Sequence, residues 1–135
     1  MKLYYKIWVD AITKIRNFDD YMWKSKTLIT ISFWMGVVFM VFVAIFEHDI
    51  LGFTFYKLNL DNYIAKPWCD LFESILLFFM PFIVINYFLI FYKKRYETLL
   101  KKYEYKNGKY FTTFFLCCMG LPLLCFLILI IRNIM

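Results

Sequence analysis

Three uncharged apolar runs, each bounded by charged stretches, constrain this chain more than any other feature. They cover Thr27–Phe46, Ser74–Tyr92 and Tyr110–Ile131, which is 20, 19 and 22 residues. A helix needs roughly 20 apolar residues to cross about 30 Å of hydrocarbon. The runs are apolar on all faces, as helices surrounded by lipid or by other helices are. Hydrophobic residues make up 63% of the 135, and a water-soluble fold of that composition would need a core larger than so short a chain can cover. The expectation is an all-α integral membrane protein, one membrane domain over 1–135, with three transmembrane helices.

Charge sets the expected topology. Segment 1–26 carries six Lys and Arg, connector 93–109 carries seven, and the 47–73 loop holds only Lys57 and Lys66. The positive-inside rule then places the N-terminus and 93–109 in the cytoplasm, with the 47–73 outer loop and the C-terminus outside. A mitochondrial inner membrane, with the matrix as the basic side, satisfies the same rule. No cleavable signal peptide is expected, because Asp10, Asp19 and Asp20 stand in the first 26 residues and no small-residue site follows Phe46.

Residues 2–16 read as an amphipathic interfacial helix preceding the spans. Leu3, Ile7, Ala11 and Ile15 recur every four residues beside Tyr4, Trp8 and Ile12, while Lys2, Lys6, Asp10 and Lys14 fall on another face. Such a helix suits the headgroup layer, or a groove on a partner or on the protein's own helices. Asn17, Asp19 and Asp20 make a turn before the first span.

Within the spans, small and polar residues point to helix packing. Ser32, Gly36 and Ala44 lie near one face of the first span, and Thr113, Cys117 and Gly120 repeat the theme in the third. Small residues at such spacing let backbones approach closely in lipid, within one chain or between chains. Asn86 lies about 10 Å inside the second span, seven residues before Lys93. An amide at that depth calls for a partner, either a neighbouring helix or water in a cavity. Pro81 and Pro122 are expected to kink the second and third spans.

The outer loop is too apolar for a free loop. Phe53, Phe55, Tyr56, Leu58, Leu60, Tyr63 and Trp68 suggest a hairpin folded back on the interface, with Pro67 and Trp68 restarting the helix. The 93–109 segment is a basic cytoplasmic extension. Tyr92, Tyr96, Leu99 and Tyr103 continue a helical stripe, so the second span is expected to run on by about three turns to Asn107-Gly108. Lys93, Lys94, Arg95, Lys101 and Lys102 on its other face suit contact with anionic headgroups of the lipid bilayer, or with an acidic partner. No nucleic-acid motif accompanies that charge.

Chemistry-bearing patterns are missing. There is no phosphate-binding Gly-rich loop, no zinc spacing and no nucleophile elbow. Cys117, Cys118 and Cys125 lie in the third span and read as free packing thiols, with Cys69 at the outer edge of the second. Glu47-His48-Asp49 reads as a solvated helix end, since consecutive residues point apart. No cofactor, no metal and no enzymatic activity are expected.

The stretches KIWVDAITKIR, ILGFTFYKLNL and INYFLIFYKKRYETLLKKYEYKNGKYF resemble a group of small three-span proteins encoded by AT-rich Bacteroidota genomes. The resemblance covers most of the chain and implies an inner-membrane location, without a functional motif. The reading that follows is a non-enzymatic subunit of a larger membrane assembly, joined to other membrane proteins or to itself. An oligomeric pore or membrane-perturbing effector of a defence or toxin-related system is the alternative that Asn86 and the two prolines suggest. An immunity or accessory factor for another membrane protein is the third.

Overall fold

The computed structural model describes residues 2–47, 52–53 and 66–134. Among them there is no strand. Three helical stretches are long and apolar enough to cross a membrane: Trp23–Ile45, Leu71–Lys102 and Lys109–Ile128. The 48–51 and 54–65 stretches of the outer loop, with His48 and Asp49 and most of the expected hairpin, lie outside the described residues.

Helix α1 (Lys2–Phe18) is followed by a short turn and helix α2 (Trp23–Ile45). Asp19 organises that turn. Its Oδ1 accepts the backbone N–H groups of Tyr21 and Met22 at 3.1 and 3.3 Å, and Oδ2 accepts the Lys26 ammonium. Those bonds, the lysine's foremost, hold the Asp19 carboxyl below the usual carboxylate range.

The second crossing is a chain of helical pieces. Helix α3 (Lys66–Ser74) passes into a π-helical turn, Ile75–Phe79, then helix α4 (Met80–Asn86) and a second π-helical turn, Tyr87–Phe91. Pro81 explains the first π turn. A proline ring clashes with the carbonyl four residues back and offers no N–H. Widening the preceding turn by one residue makes room, and the Met80 N–H bonds Ile75 O accordingly. The expected kink therefore takes the form of an inserted residue.

The run-on into the connector is broken, contrary to the sequence expectation. Tyr92 has ψ 131°, and Lys93 and Lys94 take left-handed φ values of 52° and 56°. A second helix, α5 (Arg95–Lys102), starts there in a new direction. Two lysines in that region cost about 1–2 kcal/mol each. The break turns Tyr96 inward, where it is buried against Trp23 and Phe91 at ring separations of 5.3 and 5.9 Å. Helix α6 (Lys109–Ile134) then runs through Pro122 without interruption, so the second proline does not divide its helix.

The buried core sits at the basic end of the bundle. It comprises Trp8, Ala11, Ile12, Trp23, Ile31, Ile90 and Tyr96. Fully burying side chains such as Trp8 and Ile12 contributes about 1.5–3 kcal/mol each relative to water. Away from that end the helices present apolar side chains outward, among them Phe42, Val84, Leu116, Leu124 and Phe126. That distribution suits surfaces that meet lipid or another apolar helix.

The middle of helix α1 is buried against its neighbours, while its two ends are exposed. Five consecutive residues, Trp8 to Ile12, are buried, which at 3.6 residues per turn is more than one complete turn. Helices α2, α5 and α6 surround it. Asp10, expected on the solvated face with the lysines, is at 0% exposure inside this sleeve. The reason lies in what it binds.

Candidate functional site

Two buried polar clusters fasten α1 to the rest of the molecule. The first centres on Asn86, which is 1% exposed. Its Nδ2 donates to Ser32 Oγ at 2.8 Å, and the Tyr4 hydroxyl donates to its Oδ1 at 2.6 Å. Met35 Sδ stands 3.6 Å from the same Nδ2 as a weaker acceptor. One amide thus ties α4, α2 and α1 together. Burial pushes the Tyr4 hydroxyl up to about 12, so it remains a proton donor at any physiological pH. Replacing Asn86 with Leu strands the Tyr4 hydroxyl and frees Ser32. The expected loss is about 1–2 kcal/mol of stability. A double-mutant cycle with Tyr4→Phe should show a coupling of roughly 1 kcal/mol; additive losses would mean that the Tyr4–Asn86 bond contributes nothing.

The second cluster is a carboxylate clamp. Asp10 Oδ1 accepts the Lys106 N–H at 2.8 Å and Oδ2 accepts the Tyr110 N–H at 2.9 Å. Tyr110 lies in the first turn of α6, where N–H groups lack helical partners and the helix dipole favours an anion. Between the two bonded amides, Asn107 and Gly108 take φ values of 53° and 73°, and the Lys109 N–H bonds Lys106 O at 3.1 Å. Two positive-φ residues closed by such a bond make a type I′ turn, which Asn-Gly favours. The positive φ of Gly108 is what favours glycine here; a Cβ would stand 2.8 Å from Lys14 Cδ, which the flexible lysine side chain can relieve by moving. Lys14 Nζ reaches Thr112 Oγ1 at 3.3 Å on the same side.

The residues expected to pack helices divide into two groups. Ser32 and Gly36 are buried and face the second crossing. A Cβ on Gly36 would lie 2.5 Å from Phe79 Cδ1 and 2.7 Å from the Phe78 carbonyl oxygen, so the two backbones meet at this glycine. Phe33 stacks on Phe79 beside it, with centroids 5.1 Å apart. Ala44, by contrast, is exposed. Thr113 and Cys117 are exposed too, and a Cβ on Gly120 would meet nothing within 4 Å. Among the described residues, no helix closes on the third span at Gly120. Cys118, next to Cys117, is buried instead, and Cys117, Cys118 and Cys125 are free thiols.

Lys93, Lys94, Arg95, Lys101 and Lys102 are exposed around α5. Among the described residues, no group of three His, Cys, Asp or Glu side chains stands close enough to hold a metal ion. No family model, curated protein or solved structure matches the chain.

Tyr4 and Asp10 are the site residues that sequence reasoning missed. A signal for Asp10 was present: Leu3, Ile7 and Asp10 follow one another at i, i+4 and i+7, which places the acid on the apolar stripe itself. An acid on such a stripe calls for buried donors, and the first turn of a following helix supplies them.

Proposed function

We propose that this chain is a non-enzymatic integral membrane protein that serves as a subunit of a larger assembly in the inner (cytoplasmic) membrane. The observation that carries the reading is the free small-residue face of α6. Thr113 and Cys117 are exposed and Gly120 has open space where a Cβ would be. In lipid, helices associate where small residues let backbones close up, and among the described residues Gly120 has no such neighbour. Basic segments 1–26 and 93–109 lie on the cytoplasmic side by the positive-inside rule. Helix α1 then runs at the level of the headgroups, with Lys2, Leu3 and Arg16 outward and Lys93, Lys94, Arg95, Lys101 and Lys102 beside it for anionic lipid.

The pore reading is weaker. Asn86, its main support, is engaged by Tyr4 and Ser32 and buried, so it does not line a water path in this arrangement.

The test is the mass of the particle extracted from its native membrane in mild detergent. Wild type should run above the 16.6 kDa of one chain, either as a multiple of it or with a different protein attached. Gly120→Leu should leave folding unchanged, because among the described residues nothing stands within 4 Å of the new Cβ, and should return the particle to a single chain. A wild-type particle of one chain, or an unaltered assembly in Gly120→Leu, would sink the proposal.

A further inference from the structure

An open cleft of about 640 Å³ lies between α1 and α6, lined by Leu3, Ile7, Lys106, Lys109, Tyr110, Thr113, Phe114 and Cys117. Its volume falls in the range of small-ligand sites. Its chemistry is divided along its length. Lys106 and Lys109 stand at one end, both exposed, and the Lys6 ammonium lies 5.4 Å from the centre of the Tyr110 ring in the same wall. Lys106 has one acidic neighbour, Glu104 at 3.7 Å, in a pair so exposed that it is readily exchanged. From Lys109 the apolar lining continues through Phe114 to Cys117, about 12 Å farther along α6 by the helical rise. The Asp10 carboxylate lies against the same turn in space but is fully buried, where the Lys106 and Tyr110 backbone N–H groups occupy it.

We infer that this cleft is a discrete binding site for one anionic phospholipid, with its phosphate between Lys106 and Lys109 and an acyl chain along Leu3, Ile7, Phe114 and Cys117. The argument is charge complementarity joined to an apolar trough that opens toward the hydrocarbon. A zwitterionic lipid would fill the trough but gain little from the lysines, and a water-soluble anion would leave the trough empty. The site shares Thr113 and Cys117 with the small-residue face of α6 and leaves Gly120 beyond it, so lipid and a partner helix seated along that whole face would compete at Cys117.

The experiment is native mass spectrometry of the full chain in a neutral detergent, titrated separately with phosphatidylglycerol and with phosphatidylcholine of the same acyl chains. One phosphatidylglycerol per chain should bind in preference to phosphatidylcholine. Lys106→Ala with Lys109→Ala should weaken it about thirtyfold, at roughly fivefold per lysine near a headgroup. Lys101→Ala with Lys102→Ala, equally basic but outside the cleft, remove only general surface charge and should weaken it far less. Cys117→Trp, an exposed position, should block the trough for either lipid without touching a charge. Equal binding of the two lipids, or equal losses in the two double-lysine variants, would reduce the effect to general surface charge and overturn the site. A second copy of the chain seated in the cleft would overturn it too, and would show as a lipid-free dimer abolished by Cys117→Trp but kept by Gly120→Leu.

Discussion

Gly36→Leu is expected to destabilise the isolated chain by about 3 kcal/mol, at the upper end of what overpacking usually costs. The size follows from what the new side chain meets. The first atom, Cβ, would stand 2.5 Å from Phe79 Cδ1 and 2.7 Å from Phe78 O. A ring can rotate away, but a backbone carbonyl cannot, so the two crossings must separate. That separation opens the Phe33–Phe79 stack and lengthens the Ser32–Asn86 bond, one turn from the glycine. Gly36→Ala should cost about half as much, since the clash begins at Cβ and the longer side chain only extends it. Thermal unfolding in detergent measures both. Gly120→Leu, with open space at the same atom, is the matched control and should melt with wild type. If Gly36→Leu melted with it, the close approach of the first two crossings would be wrong.

Asp10→Ala should cost about 2–3 kcal/mol and loosen the connector ahead of the third crossing. Two charge-assisted hydrogen bonds, at 2.8 and 2.9 Å, are lost from a fully buried acceptor, and each such bond is worth more than a neutral one. The first turn of α6 also loses the anion that its dipole favours. Asp10→Asn keeps one acceptor and turns an amide N–H toward the other donor, so it should recover less than half of the loss. Amide hydrogen exchange localises the effect: the Lys106 and Tyr110 N–H groups should exchange faster in both variants, while amides within α4 keep their protection. Trypsin should cut sooner at Lys106 and Lys109. Unchanged exchange at those two amides would mean that the clamp does not hold the connector.

These two residues divide what can be read from a sequence of this kind. Gly36 was legible in position, since a small residue within an apolar run marks close approach in lipid. Its partner was not, because Gly120 obeys the same pattern and meets nothing among the described residues. Spacing along one helix records that a face can approach another, and is silent on which helix arrives. Asp10 shows the opposite failure. Helical spacing grouped it with Lys2, Lys6 and Lys14 as solvated charge, yet it accepts bonds from residues about 100 positions away. The break at Lys93 and Lys94 was hidden for a related reason. Local preference favours continuing the helix there, and burial of Tyr96 against Trp23 and Phe91 outweighs it.

The sequence by itself determined the apolar helices long enough to cross a membrane and the basic stretches that flank them. Both follow from properties that add along the chain, apolar length and charge, and need no knowledge of neighbours. Only the tertiary structure decided that the middle of α1 is buried against α2, α5 and α6, that Asn86 is satisfied by Tyr4 and Ser32, and that no described residue closes on α6 at Gly120. Those are matters of which buried donor meets which acceptor, and periodicity along one helix can mark a residue for burial, as it does Asp10, without naming the partner that reaches it from tens of residues away.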